Sequence, residues 1–169
     1  MLDNLKLVQE TDEILNQTMP DFDFNNPIMN PILLAAKLHE RMIKSDGLGI
    51  SACQVGINTR VFCMRVEGNH PYALFNPIVV NVSLNLISMK EGCLSFPLLY
   101  MNVKRPDSVR IRFQDFEGNT TTQQYIGMSA RVALHEMDHM NGVVFTQKAS
   151  GYEAQRALRK RMILKRKVK

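Results

Sequence analysis

The pentapeptide His135-Glu136-Met137-Asp138-His139 constrains this chain more than any other stretch, because it makes sense only on a helix. Histidines four residues apart share one helical face and can aim two imidazoles at one point, as a divalent transition metal requires. Glu136, one position round, then lies beside that point rather than among the ligands, where a carboxylate can act as a general acid or base. The pattern predicts a helix over 129–141, capped by Ser129 and ended by Asn141-Gly142. Two histidines and two acids in five residues are foreign to a small core unless they have partners or chemistry, and a solvated polar helix face is the alternative.

Two histidines do not complete a metal site. The extension H-E-x-x-H-x-x-G-x-x-H of one large class of zinc proteases would need a histidine at position 145; Gly142 is in frame, but Phe145 stands there. A downstream glutamate would have to be Glu153, at the head of a basic tail. Upstream, Glu91-Gly92-Cys93-Leu94-Ser95 follows the alternating segment 82–86, and Phe96-Pro97 is expected to end that extended stretch. Cys93 is the predicted third ligand. Thiolate plus two imidazoles suits several divalent ions.

The remaining segments set the scaffold. Asn30-Pro31 reads as an N-cap followed by proline at the first helical position, and Ile32, Leu33, Ala36, Leu38, Met42 and Ile43 supply apolar residues to a helix ending at Ser45-Asp46-Gly47. His39 within it, and His70 in a turn, lack partner spacing and read as structural. Strands are expected over 61–66, 72–80, 82–89, 109–113 and 120–126, with a hairpin signal at Glu117-Gly118-Asn119. Strands precede the metal helix without regular β-α alternation. The expected class is therefore α+β, with largely antiparallel sheets packed around a central metal-binding helix, and a C-terminal helix. Between helix and strand, residues 47–56 are dense in small side chains. A peptide could exchange main-chain hydrogen bonds there, and Gln54 could offer an amide N–H to a developing oxyanion; an ordinary tight loop is the alternative.

With 169 residues, 45% of them hydrophobic, a single domain over 1–169 is expected. No apolar run approaches the roughly 18 residues of a membrane span, and the opening residues carry neither a signal pattern nor an Arg-rich transit pattern, so a cytoplasmic protein is expected. Three cysteines with no C-x-x-C pair suit a reducing compartment and free thiols. The net charge of +5 is uneven: residues 152–169 carry eight basic residues against Glu153, whereas residues 1–151 carry 13 basic and 15 acidic ones. In that tail Ala154, Leu158 and Met162 form a stripe at helical spacing. It predicts a helical extension that docks by the stripe and turns basic residues towards nucleic-acid phosphates, an anionic membrane surface, or solvent.

Gly47-Leu48-Gly49-Ile50-Ser51-Ala52-Cys53-Gln54, Glu91-Gly92-Cys93-Leu94-Ser95 and His135-Glu136-Met137-Asp138-His139 together resemble, in order and spacing, the three motifs of peptide deformylases. The likeness runs from the first helix to Phe145 and includes the Ala130-Arg131 pair. Ser51 departs from the usual alanine, a position that asks mainly for small size, and Tyr100 stands where some members carry arginine. The resemblance implies hydrolytic removal of the formyl group from N-formylmethionyl nascent peptides, releasing formate. It implies one divalent metal ion per chain, Fe²⁺, replaceable by Zn²⁺, Ni²⁺ or Co²⁺, held by Cys93, His135 and His139. Glu136 would be the general acid/base for a water the metal activates, with Gln54 and the Leu94 backbone N–H on the oxyanion. Gly49 would hold the peptide backbone, and Leu48, Met89, Met128 and Val132 would wall a methionine slot, ordinary core packing being the alternative for each. Asp138, Glu91 and Arg105 would orient the histidines or one another. The resemblance also implies contact with the ribosome through the basic C-terminal helix. A zinc endopeptidase and a non-catalytic ribosome- or RNA-binding module are the alternative functions.

Overall fold

The structure, a computed structural model, describes residues 5–65 and 72–167; His70 and Val66, the end of the first expected strand, lie outside them. Its helices are α1 (Pro31–Lys44), α2 (Met128–Met140) and α3 (Gly151–Lys167). Its strands are β1 (Gly49–Ser51), β2 (Val61–Met64), β3 (Tyr72–Val82), β4 (Leu86–Cys93), β5 (Phe96–Pro106), β6 (Ser108–Gln114) and β7 (Thr120–Ile126). Five strands form one antiparallel sheet in the order β1-β2-β3-β6-β7, and β4 pairs with β5 as a separate antiparallel ribbon. This is the expected α+β architecture.

β2 shows why the larger sheet is covered on both faces. All four of its residues are buried, and alternation sends Phe62 and Met64 to one side and Val61 and Cys63 to the other. The second side meets α1 through Leu34, Leu38 and Met42, one i, i+4, i+8 ridge. Ile32, Leu33 and Ile43, expected to pack with them, fall off that ridge and are exposed. The start of α1 is as expected: Asn30 Oδ1 accepts from the Leu33 N–H at 3.1 Å, and Pro31 opens the helix. The first side of the sheet meets α2 through Ala130, Ala133, Met137 and Met140, and the β4–β5 ribbon adds Leu99, Met101 and Val103 to the same core. Enclosed by the sheet on one flank and the ribbon on the other, α2 is the central helix.

Three expectations need correction. Ser129 does not cap α2: the helix starts one residue earlier, behind Gly127, whose φ of 61° lets the chain turn sharply out of β7. Phe96-Pro97 does not end the extended stretch, because β5 runs on for eleven residues. A register shift at Gly92/Cys93 leaves Pro97, Leu98 and Leu99 outside the regular ladder, so the missing proline N–H breaks no pairing. Beyond it, buried Leu99, Met101, Val103 and Arg105 alternate with outward Tyr100, Asn102 and Lys104. Finally, α3 docks on β5 by a different stripe. Ala157 and Arg161 are buried, whereas Leu158 and Met162 are 47% and 58% exposed. Arg161 Nη1 lies 2.6 Å from Glu10 Oε2, and that ion pair draws an arginine into the place expected of an apolar side chain.

The alternation in β5 separates two adjacent leucines. Leu99→Ala, at a fully packed site, is expected to lower unfolding free energy by about 2–5 kcal/mol in urea titration. Leu98→Ala, partly exposed, is expected to change it by about 0.5 kcal/mol or less. Equal effects would contradict the burial of Leu99 beside an exposed Leu98.

Candidate active site

β4 and α2 bring the three expected ligands together. Cys93 Sγ, His135 and His139 offer ligand atoms that all lie within 4.8 Å of one another, and Cys93 Sγ is 3.3 Å from His139 Nε2. The rings of His135 and His139 stand at 76° with centroids 5.2 Å apart, one helical turn on the same face. His39 lies on α1 outside this cluster. Phe145, where a protease-type third histidine would stand, is a core residue packed against His135 and Phe96.

The orientation of the site comes from Glu91, a buried carboxylate on β4. Arg105 grips it with two bonds, Nε to Oε1 at 2.6 Å and Nη2 to Oε2 at 2.9 Å, while Arg131 Nη1 reaches Oε1 at 2.7 Å. His135 Nδ1 completes the shell at 3.0 Å from Oε2. Because an ionised carboxylate only accepts, Nδ1 carries a proton, which leaves Nε2 as the ring nitrogen available to a metal ion. Arg105 also reaches Asp138 Oδ2 at 2.6 Å, so the expected grouping of Glu91, Arg105 and Asp138 is present. Arg131 joins β4 to β5 through the carbonyls of Ile87 and Val103, at 2.7 and 2.8 Å. Sequence reasoning gave it no such role, although it lies one turn before His135 on the same helix face.

Electrostatics at the site favour a cation. Burial works to lower the proton affinity of His135, but the neighbouring Cys93 and Glu91 overcome it and hold the pKa up to about 10. His139 is driven the other way, chiefly by burial and then by His135 and Arg105, so its imidazole is neutral as a metal ligand must be. Burial also raises the pKa of Glu136, opposed by His135 and by a hydrogen bond from Ser51. One thiol, one neutral imidazole and a second imidazole in a negative neighbourhood, which favours a proton on its free nitrogen or a metal ion in that proton's place, form a donor set that fits a divalent transition metal.

A cleft of about 400 Å³ opens beside these groups. Leu48, Gly49, Gln54, Leu94, Met128, Val132, Cys93, His135 and Glu136 line it; Met89 does not, lying half-buried opposite Val103 on the strand face that carries Glu91. Gln54 Oε1 accepts from the Ser51 N–H at 2.9 Å, which turns Nε2 towards Cys93 Sγ, 3.3 Å away. A Cβ on Gly49 would lie 2.5 Å from Glu136 Oε1 and 2.8 Å from Val132 Cγ1, so only glycine fits over the carboxylate. β1 is also an edge strand of its sheet, with one side free to pair. Tyr100, at the mouth of the cleft, stacks under Lys90 Nζ at 4.9 Å, so a cation still stands beside this position.

Fold and site define a class: an α+β chain with a buried cysteine–histidine cluster able to hold one metal ion, as metal-dependent hydrolases have. Within that class the comparisons are specific. The profile of the polypeptide deformylase family matches residues 4–155, and the chain belongs to that family. It is 39% identical over 153 residues to the chloroplastic peptide deformylase 1B of Oryza sativa subsp. japonica, covering 86% of this chain and 55% of that protein. It is 37% identical to the peptide deformylase of Thermotoga petrophila, with 78% of each covered. The structure of a Synechococcus elongatus peptide deformylase in complex with actinonin superimposes with a TM-score of 0.84 at 31% identity, covering 92% of this chain and 86% of that one. The chain spans about half the length of the plant relatives it matches.

Removing the Glu91 charge exposes how much the hub holds. Glu91→Gln leaves Arg131 and part of Arg105 buried without a counter-charge, and is expected to cost about 3–5 kcal/mol in denaturant unfolding of the metal-free protein near neutral pH. Although burial alone would raise it, the Glu91 pKa is lowered from 4.5 to about 2 by His135, Arg105 and Arg131. A depressed carboxylate pKa stabilises the fold above the unfolded value and loses that contribution as pH falls. The gap between wild type and variant should therefore close between pH 4.5 and 2; a gap constant across that range would contradict the hub.

Proposed function

We propose that this chain hydrolyses the formyl group of N-terminal formylmethionine on nascent peptides, releasing formate, as a single catalytic domain with residues 152–169 as a basic extension. Membership of the polypeptide deformylase family supports the reaction. The observation that carries it to these residues is a buried carboxylate, Glu136, beside a Cys93–His135–His139 cluster at the foot of a free edge strand. Cys93, His135 and His139 hold one divalent ion, Fe²⁺ in the resident form, with Zn²⁺, Ni²⁺ or Co²⁺ able to substitute. When bound, such an ion supplies Lewis acidity that brings the pKa of water near neutrality. A formyl peptide lies along β1 and exchanges main-chain hydrogen bonds at Gly49. Glu136 takes a proton from the attacking water and returns it to the departing amine nitrogen. Gln54 Nε2 and the Leu94 N–H donate to the oxygen on which negative charge develops. Leu48, Met128 and Val132 form the apolar slot for methionine. Met89 is left out of that slot, since it lies away from the cleft lining.

The chemistry divides the roles of two residues. Cys93→Ser should lose bound metal and formate release together, by atomic absorption and a formate assay on a formyl-Met tripeptide. Glu136→Ala should keep its metal and lose about 10²–10⁴-fold in kcat. Normal turnover by either variant, or no formate from metal-loaded wild type, would remove the proposal. An endopeptidase finds no support in a site whose third ligand is a cysteine and whose position 145 is packed phenylalanine.

The outer face of α3 favours a second role beside catalysis. Arg156, Arg159, Lys160, Lys165 and Arg166 are exposed there, with Leu158 and Met162 between them. We infer that this face docks on the ribosome, whose phosphates match clustered arginine and lysine. No helix among the described residues is long and apolar enough to cross a membrane. A cytoplasmic site of action agrees with that, as it does with co-translational substrates. Reversing Arg159 and Lys160 to glutamate leaves the buried stripe intact. It should weaken co-sedimentation with ribosomes, most strongly at low salt, while turnover of short formyl peptides persists. Unchanged co-sedimentation would remove the ribosomal role and leave the catalytic one.

A further inference from the structure

Ser51 ends β1 with its side chain completely buried, at a position where small size alone would suffice. Its hydroxyl lies 2.5 Å from Glu136 Oε2, bridging residues 85 apart in sequence, and its backbone N–H lies 2.9 Å from Gln54 Oε1. One residue thus touches both side chains that the deformylase reading places on the reacting atoms. The Ser51 side chain otherwise takes part only as an acceptor, from the Gln54 backbone N–H in a capping box, so its single proton goes to the carboxylate. The other carboxylate oxygen, Oε1, lies against Gly49 on the cleft side, where no Cβ stands in the way.

We propose that Ser51 is a positioning residue: by donating to Glu136 Oε2 it fixes the carboxylate plane and leaves Oε1 as the oxygen that exchanges protons in the cleft. This rests on the deformylase reading and adds a residue to it. A glutamate side chain has three rotatable bonds, and apolar packing beside it constrains its volume but not the direction of its oxygens. A hydrogen bond from a rigid strand end supplies that direction. An alanine here would preserve the packing and free the carboxylate to turn. The backbone bond to Gln54 would remain, so the oxyanion donor would stay oriented while the proton acceptor would not.

Steady-state kinetics on a formyl-Met tripeptide, with nickel-loaded wild type, Ser51→Ala and Ser51→Thr, tests this. Ser51→Ala is expected to lower kcat by about 10–100-fold, the scale of a misplaced reacting group, with KM changed by less than about twofold. Metal stoichiometry and melting temperature should match wild type. Ser51→Thr, which keeps the hydroxyl, should recover most of the lost kcat. Equal kcat in wild type and Ser51→Ala would overturn the positioning role and leave the deformylase reading standing. So would a loss that tracks lost metal or lost fold, or a threonine variant as slow as the alanine one. A folded, nickel-loaded wild type that releases no formate would instead remove the deformylase reading, and the role of Ser51 with it.

Discussion

The buried carboxylate of Glu91 is the interaction on which the rest of this structure depends. It receives two arginines and a histidine, from β5 and α2, while itself standing on β4 two residues before Cys93. A buried charge with such a shell is costly to assemble and far costlier to leave half-assembled, so it specifies one arrangement of ribbon and helix rather than many. That arrangement is the one in which the Cys93 thiol faces the two imidazoles. The positions of the three candidate ligands are thus set by the contacts around Glu91.

The same economy explains how a central helix can carry so many polar groups. Arg131, His135, Glu136 and His139 are all buried on α2, yet the apolar positions Ala130, Ala133, Met137 and Met140 seal it against the larger sheet. The polar face looks instead towards the β4–β5 ribbon and the free edge of β1, where Glu91 and Ser51 meet it. The cleft is the seam between two sheets that do not pair with each other, which is where an extended peptide can add itself as a strand. Gly49 keeps that seam open over Glu136, because any larger residue would strike the carboxylate.

Much of this was legible in the chain because it is local. Asn30-Pro31 gives the start of α1, the four-residue spacing of His135 and His139 gives α2, and the family likeness follows from three short motifs. What was not legible depends on distant partners. β5 hid behind Pro97, whose damage to a strand vanishes only once the register shift opposite it is known. The apolar stripe of α3 was misjudged because Glu10, far away in sequence, recruits Arg161 inward. Ser51 looked like a tolerated small residue, since nothing in its own motif announces a bond to a carboxylate 85 residues later. Arg131 was visible one turn before His135, but its acceptors on β4 and β5 were not.

The proposed metal site beside Glu91 is most directly tested by X-ray absorption at the zinc edge of the zinc-loaded wild-type chain. One sulfur at about 2.3 Å and two imidazole nitrogens at about 2.0–2.1 Å are the expected protein ligands. A first shell without sulfur, or with two sulfurs, would contradict a site built from Cys93, His135 and His139.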